Sequence, residues 1–163
     1  MPTPIVGIDP GQSGALVYIS AGCGGGPEFL CHKMPETEKD VWDLVKTLAD
    51  CCRSEAKPPT AVIELVHSSP QMGVSSSFTF GRGLGGIRMA LIGNGFVIHE
   101  VTPQKWKSVM RCRSAKPHAL GKKDMTVVRA RAQELYPLVK ITNWNADALM
   151  IAAYGAQLLR GAT

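Results

Sequence analysis

Three carboxylates stand where an apolar core would be expected: Asp9, Glu64 and Asp147. Asp9 ends the run Ile5-Val-Gly-Ile and is followed at once by a glycine turn, Pro10-Gly-Gln-Ser-Gly14. Glu64 ends a second apolar run, Ala61-Val-Ile. Asp147 opens a third, the helical pattern Asn145-Ala-Asp147-Ala-Leu-Met-Ile-Ala-Ala-Tyr154. A carboxylate taken out of water is costly unless a cation or strong hydrogen bonds meet it. Three of them, far apart in sequence and each on a regular element, predict a metal site assembled by the fold. Each also has a plainer reading. Asp9 is a natural Asx-turn residue, Glu64 a strand end facing solvent, and Asp147 a first-turn acid favoured by the helix dipole.

The charge distribution points the same way. The chain has a net charge of +5 and a pI near 9.1, which fits a polyanionic partner. Between Lys105 and Lys140 lie Lys105, Lys107, Arg111, Arg113, Lys116, Lys122, Lys123, Arg129, Arg131 and Lys140, against only Asp124 and Glu134. An acidic site beside a basic field is what a nuclease needs: carboxylates hold a metal, and lysines and arginines hold phosphates. Lys105, Lys107, Arg111, Arg113 and Lys116 are read as phosphate contacts, as a group.

The elements that must position these residues follow from periodicity and breakers. Residues 4–9, 14–20 and 28–34 read as an antiparallel meander with joints rich in Gly and Pro. Residues 37–53 read as a helix, with Thr37 as N-cap and Val41, Leu44, Val45 and Leu48 as its apolar stripe. A strand is predicted over 60–66, a polar flexible segment over 68–77, a glycine-rich helix over 78–93 and a strand over 96–101. Pro103 starts a short turn or helix containing Trp106, and 112–121 reads as a mobile basic loop. Helices over 123–136 and 145–160 close the chain. The order βββαβαβαα predicts an α/β domain with a mixed five-stranded sheet flanked by helices.

Length and composition bound the rest. The chain's 163 residues, 45% of them apolar, predict one domain over 1–163 with a real core. No apolar run is long enough to predict a membrane span, and no basic-then-apolar signal pattern opens the sequence. Cys23, Cys31, Cys51, Cys52 and Cys112 have neither zinc nor C-x-x-C spacing and read as reduced thiols of an intracellular protein.

Smaller features fit a nucleic-acid surface. Ser75, Ser76 and Ser77 let a backbone approach phosphate closely and donate hydrogen bonds. Phe78 and Phe80 read as core residues, with stacking on an unpaired base as the alternative. His67 either caps the loop after its strand or touches DNA. Gly81, Gly83, Gly85 and Gly86 each weaken a helix by about 1 kcal/mol against Ala. They read as a close-packing surface for a second helix, as a dimer interface needs, with Arg82 and Arg88 beside it and Arg82 within reach of DNA. Trp106 reads as core rather than as a base platform.

Six stretches together resemble the RuvC-type Holliday junction resolvases of the RNase H-like superfamily, especially phage-encoded and plant chloroplast junction resolvases. They are Gly7-Ile-Asp9-Pro-Gly-Gln-Ser-Gly14-Ala, Ile63-Glu64-Leu-Val-His67, Gly73-Val-Ser-Ser-Ser-Phe-Thr-Phe-Gly81, Val101-Thr-Pro-Gln-Lys-Trp106-Lys, Lys123-Asp124 ahead of Leu135-Tyr136-Pro137, and Asn145-Ala-Asp147-Ala-Leu-Met-Ile-Ala-Ala-Tyr154. The motifs keep their order over nearly the whole chain. A G-I-D-x-G strand also occurs in actin-like ATPases, but those need two such domains.

The resemblance implies an RNase H-like fold and a homodimer acting on four-way branched DNA. It also implies two Mg²⁺ per site, with Mn²⁺ as substitute, held by Asp9, Glu64 and Asp147, and hydrolysis that leaves 5′-phosphate ends. Lys123, with Lys122 as competitor, would reach the scissile phosphate. The family places a fourth acid or a histidine shortly before the helix acid, where this chain has Thr142, Asn143 and Trp144. Asn143 is then a neutral oxygen ligand, poorer for Mg²⁺ than a carboxylate. This leaves two alternatives: a junction-binding protein with weakened or lost catalysis, and a monomeric nuclease on other branched or hybrid substrates. The expected location is the chloroplast nucleoid for a plant or algal source and the host cytoplasm for a phage or bacterial one.

Overall fold

The computed structural model describes residues 4–20, 27–52, 58–67, 71–112 and 125–161. Five strands form one sheet: β1 (Ile5–Asp9), β2 (Ala15–Ser20), β3 (Glu28–Lys33), β4 (Thr60–Glu64) and β5 (Val97–Val101), in the order β3-β2-β1-β4-β5. β1, β2 and β3 are antiparallel neighbours, while β4 runs parallel to both β1 and β5. The meander and the mixed sheet are therefore as the sequence predicts.

Helices cover both faces. α1 (Glu38–Cys52) and α2 (Val74–Gly93) pack on the face formed by Val6, Ile8, Leu16, Ala61 and Ile63. α3 (Pro103–Val109), α4 (Met125–Leu135) and α5 (Ala146–Arg160) pack on the other, against Ile5, Ala15, Val17 and Val62. Strands β1, β2 and β4 are buried on both sides, which is why they read as continuous apolar runs rather than as alternating ones. β3 is an edge strand and alternates.

Local signals set the helix starts. Thr37 caps α1: its Oγ1 accepts from the Asp40 amide at 3.1 Å and donates to the Asp40 carboxylate at 2.6 Å. Thr102 caps α3 in the same way, with Pro103 at the first helical position.

One boundary departs from the sequence reading. The flexible segment predicted over 68–77 is helical from Val74 onward, so Ser75, Ser76 and Ser77 lie in the first turns of α2. Serine is a weak helix former, and that hid the start. The cost is small there, because the first-turn amides lack helical partners in any case and the helix is anchored downstream by Ile87, Ala90 and Leu91. Most of the basic loop predicted over 112–121 lies outside the described residues. No helix among the described residues is long and apolar enough to cross a membrane.

Candidate functional site

The three acids are delivered to one end of the sheet. In the parallel β1–β4 pair, Ile8 stands opposite Ile63, so Asp9 and Glu64 are neighbours at the carboxyl ends of adjacent strands. A Cβ added at Gly7 would fall 2.3 Å from Ala148 O and Ala152 N, so Gly7 lets the α5 backbone sit directly on β1. Gly155, further along α5, meets Ile5 and Val62. The helix therefore runs opposite to β1, with its N-terminus over the strand ends. Side chains alternate faces along a strand. Asp9, two residues beyond Gly7, and Glu64, two beyond Val62, thus face the same layer as α5. Asp147 sits in the first turn of that helix.

Each acid has local support. The Asp9 Oδ1 accepts from the Gly11 amide at 3.2 Å, so the Asx turn and a site role coincide. Gly14 makes this turn possible, since a Cβ there would lie 2.2 Å from the Asp9 carbonyl oxygen. Glu64 is only 3% exposed, and its Oε1 accepts from Trp106 Nε1 at 2.8 Å. Asp147 is likewise 3% exposed and gains from the positive end of the α5 dipole. Asn145, ahead of it, bonds the Thr142 amide at 2.8 Å and the Lys140 carbonyl at 3.0 Å, fixing the approach to α5. The alignment stops short of a closed cage: among the described residues no group of three or more His, Cys, Asp or Glu side chains is set to hold a metal ion.

The indole bond to Glu64 went unseen in the sequence, where Trp106 reads as core alone. Trp106 is indeed fully buried. A buried indole N–H nonetheless needs an acceptor, and that was the available signal. Cys112 and Arg131 were also missed. Burial pushes the Cys112 thiol up to about 11, with Asp147 adding to the rise and Arg131 and Lys107 opposing it. Asp147, Cys112, Arg131 and Lys107 therefore share one electrostatic neighbourhood.

The predicted DNA contacts fall into three groups. Lys107 lies by the acids, its Nζ 5.1 Å from the centroid of the Trp106 ring, with Lys105 exposed on the same short helix. Arg111 follows that helix, exposed, in left-handed backbone at φ 57°. His67 is exposed just past β4. Ser75, Ser76, Ser77, Phe78 and Arg82 sit on α2, across the sheet from α5. Phe78 is 72% exposed, so it is not a core residue, whereas Phe80 is half-buried. Arg82 pairs with Glu38 at 2.6 Å. A groove of about 520 Å³, bordered by Pro10, Gln12, Phe78 and Arg82, links this helix to the Asp9 turn. Arg113, Lys116, Lys122 and Lys123 lie outside the described residues. Asn143 is exposed, and its Oδ1 accepts from Arg129 Nη1 at 3.1 Å, so this oxygen is engaged with the surface of α4.

No protein-family model and no curated protein matches this chain. Solved structures do. Thermus thermophilus RuvC aligns with a TM-score of 0.66 at 20% identity, over 98% of this chain and 97% of that one. T. thermophilus RuvC in complex with Holliday junction substrate aligns with a TM-score of 0.67 at 18% identity, over 97% and 96%. At these identities the likeness is one of fold: the chain has the RNase H-like fold of RuvC, from end to end.

Proposed function

We propose that this chain is a Holliday junction resolvase, a structure-selective endonuclease that hydrolyses phosphodiester bonds in four-way DNA junctions. The observation that carries the reading is the convergence of Asp9, Glu64 and Asp147 on one face and one end of the sheet. Further support comes from the fold, shared with a protein whose structure holds a Holliday junction substrate.

The donor set fits hard divalent cations, since all three groups are carboxylates and two are almost wholly buried. Asp9 is on the strand against which both β4 and α5 pack, so it is the acid placed to serve two ions, with Glu64 and Asp147 each completing one. Bound Mg²⁺, or Mn²⁺ in its place, would supply an activated water and stabilise the leaving 3′ oxygen, giving 5′-phosphate ends. Trp106 holds the Glu64 carboxylate in one orientation. Lys107 and its basic neighbours bind the strand through phosphates. Lys123 offsets charge on the non-bridging oxygens, a role that rests on the motif alone.

A junction presents two scissile strands related by a two-fold axis, so a two-fold dimer gives one site to each. α2 offers the surface for it. Val74, Phe78, Gly81, Gly85, Met89 and Ile92 share one helical face by spacing. Val74 is 89% exposed, Phe78 72%, Met89 63% and Ile92 56%. A Cβ added at Gly81 or Gly85 would meet nothing within 4 Å, so the central glycines leave room for the helix of a second copy.

The test is a labelled mobile junction incubated with and without Mg²⁺ and run on denaturing and native gels. Paired nicks that appear only with Mg²⁺ are expected. Asp9→Asn should still shift the junction on the native gel and leave it uncut. Cutting by Asp9→Asn at the wild-type rate would mean the site is elsewhere. A wild-type chain that neither shifts nor cuts would sink the function. The second reading, a junction-binding protein with weakened catalysis, draws on Asn143, whose oxygen is engaged with Arg129 where the resemblance expects an acid or histidine. A shift without nicks in Mg²⁺ or Mn²⁺ would establish it.

A further inference from the structure

Sheet register carries a lysine to the acids from the side opposite α3. Lys33 ends β3 and stands opposite Ala15, which in turn stands opposite Asp9. Residues opposed in this way share a face, and Ala15 belongs to the core beneath α5. Lys33 therefore projects on the face that carries the acids, two strand spacings from Asp9, roughly 10 Å. Its Nζ lies 5.8 Å from the centroid of the Trp144 ring, and Trp144 comes three residues before Asp147.

The arrangement repeats on the other side. Lys107 lies over Trp106, whose indole nitrogen holds Glu64. The acids are thus flanked on both sides by a lysine steadied on an indole. Among the described residues neither lysine is paired with a carboxylate. The ring attracts the ammonium without neutralising it, so the charge is held in place and kept for an anion. From β3 to β4 is three strand spacings, roughly 15 Å. That span suits an extended polyanion better than a mononucleotide or a free phosphate.

Resting on the junction-resolvase reading, we propose that Lys33, oriented by Trp144, is a phosphate-binding residue for the strand that enters the site, the counterpart of Lys107 across the acids. The exposed edge strand β3 then forms one wall of the strand's path, and α3 forms the other.

The test measures junction binding by fluorescence anisotropy across a salt series without divalent metal, for wild type, Lys33→Met and Lys33→Arg. Lys33→Met keeps the stem against Trp144 and removes only the charge. Its affinity at 0.1 M salt should fall about fivefold, and the log–log salt slope should shrink by about 0.9, the loss of one phosphate contact. Lys33→Arg should recover the slope. A thermal melt of Lys33→Met matching wild type separates a lost contact from lost folding. Wild-type affinity and slope in Lys33→Met would overturn this inference while leaving the resolvase reading intact. Failure of the wild-type chain to bind the junction at all would instead overturn the resolvase reading, and this inference with it.

Discussion

A single hydrogen bond fixes the least mobile of the three acids. Glu64 is buried and Trp106 fully so, and the 2.8 Å bond between them joins the end of β4 to the helix after β5. Hydrogen bonds to charged groups contribute more than neutral ones, about 1.5–3 kcal/mol. Trp106→Phe keeps most of the ring and removes the donor. It should lower stability by about 1–3 kcal/mol in urea unfolding and slow Mg²⁺-dependent cutting more than it weakens junction binding. Equal loss in cutting and binding would make Trp106 a packing residue only. The sequence predicted both ends of this bond as buried or site residues. It did not pair them, because a periodic pattern records that a position is inside and not what it meets there.

At the scale of elements, the acids meet because α5 lies flat on β1. Gly7 is the residue that permits this, with Ala148 and Ala152 backbone atoms 2.3 Å from where its Cβ would be. Overpacking against backbone cannot be relieved by a rotamer change. Gly7→Ala should therefore cost about 3 kcal/mol or more, read as a lowered urea midpoint, and should reduce cutting even where the protein is folded. Normal stability in Gly7→Ala would show that α5 stands off the sheet. The start of α2 shows the converse limit of sequence reading. Weak local propensity at Ser75, Ser76 and Ser77 concealed helical turns that packing further along the helix imposes. Thr37 and Thr102, by contrast, were legible as caps or turn starts because a cap acts within four residues of itself.

At the scale of the whole molecule, the exposed stripe of α2 predicts self-association. Met89→Lys and Ile92→Lys change residues that are already exposed, so the single chain should fold as before. Light scattering should show a dimer for wild type and a monomer for the double variant; a double variant that stays dimeric would place the interface elsewhere. Stability should also respond to alkali. Burial raises Tyr18, Cys31 and Tyr136 above their ordinary values and lifts Cys112 from 9.0 to about 11. The folded chain keeps these protons to higher pH than the unfolded chain, so between the two values it binds more protons, and stability falls as pH rises. Urea midpoints should be level up to about pH 9 and decline towards pH 11; a flat profile would show these groups to be solvated. What the sequence determined by itself was local: the order of strands and helices, the three acids at their ends and the basic surroundings, all written in short-range period and capping. What only the tertiary structure decided was partnership, as in Trp106 with Glu64, Lys33 with Trp144 and Asn143 with Arg129. These pairs join segments far apart in the chain, and the register and layering that bring them together are set by the packing of the sheet and its helices as one body.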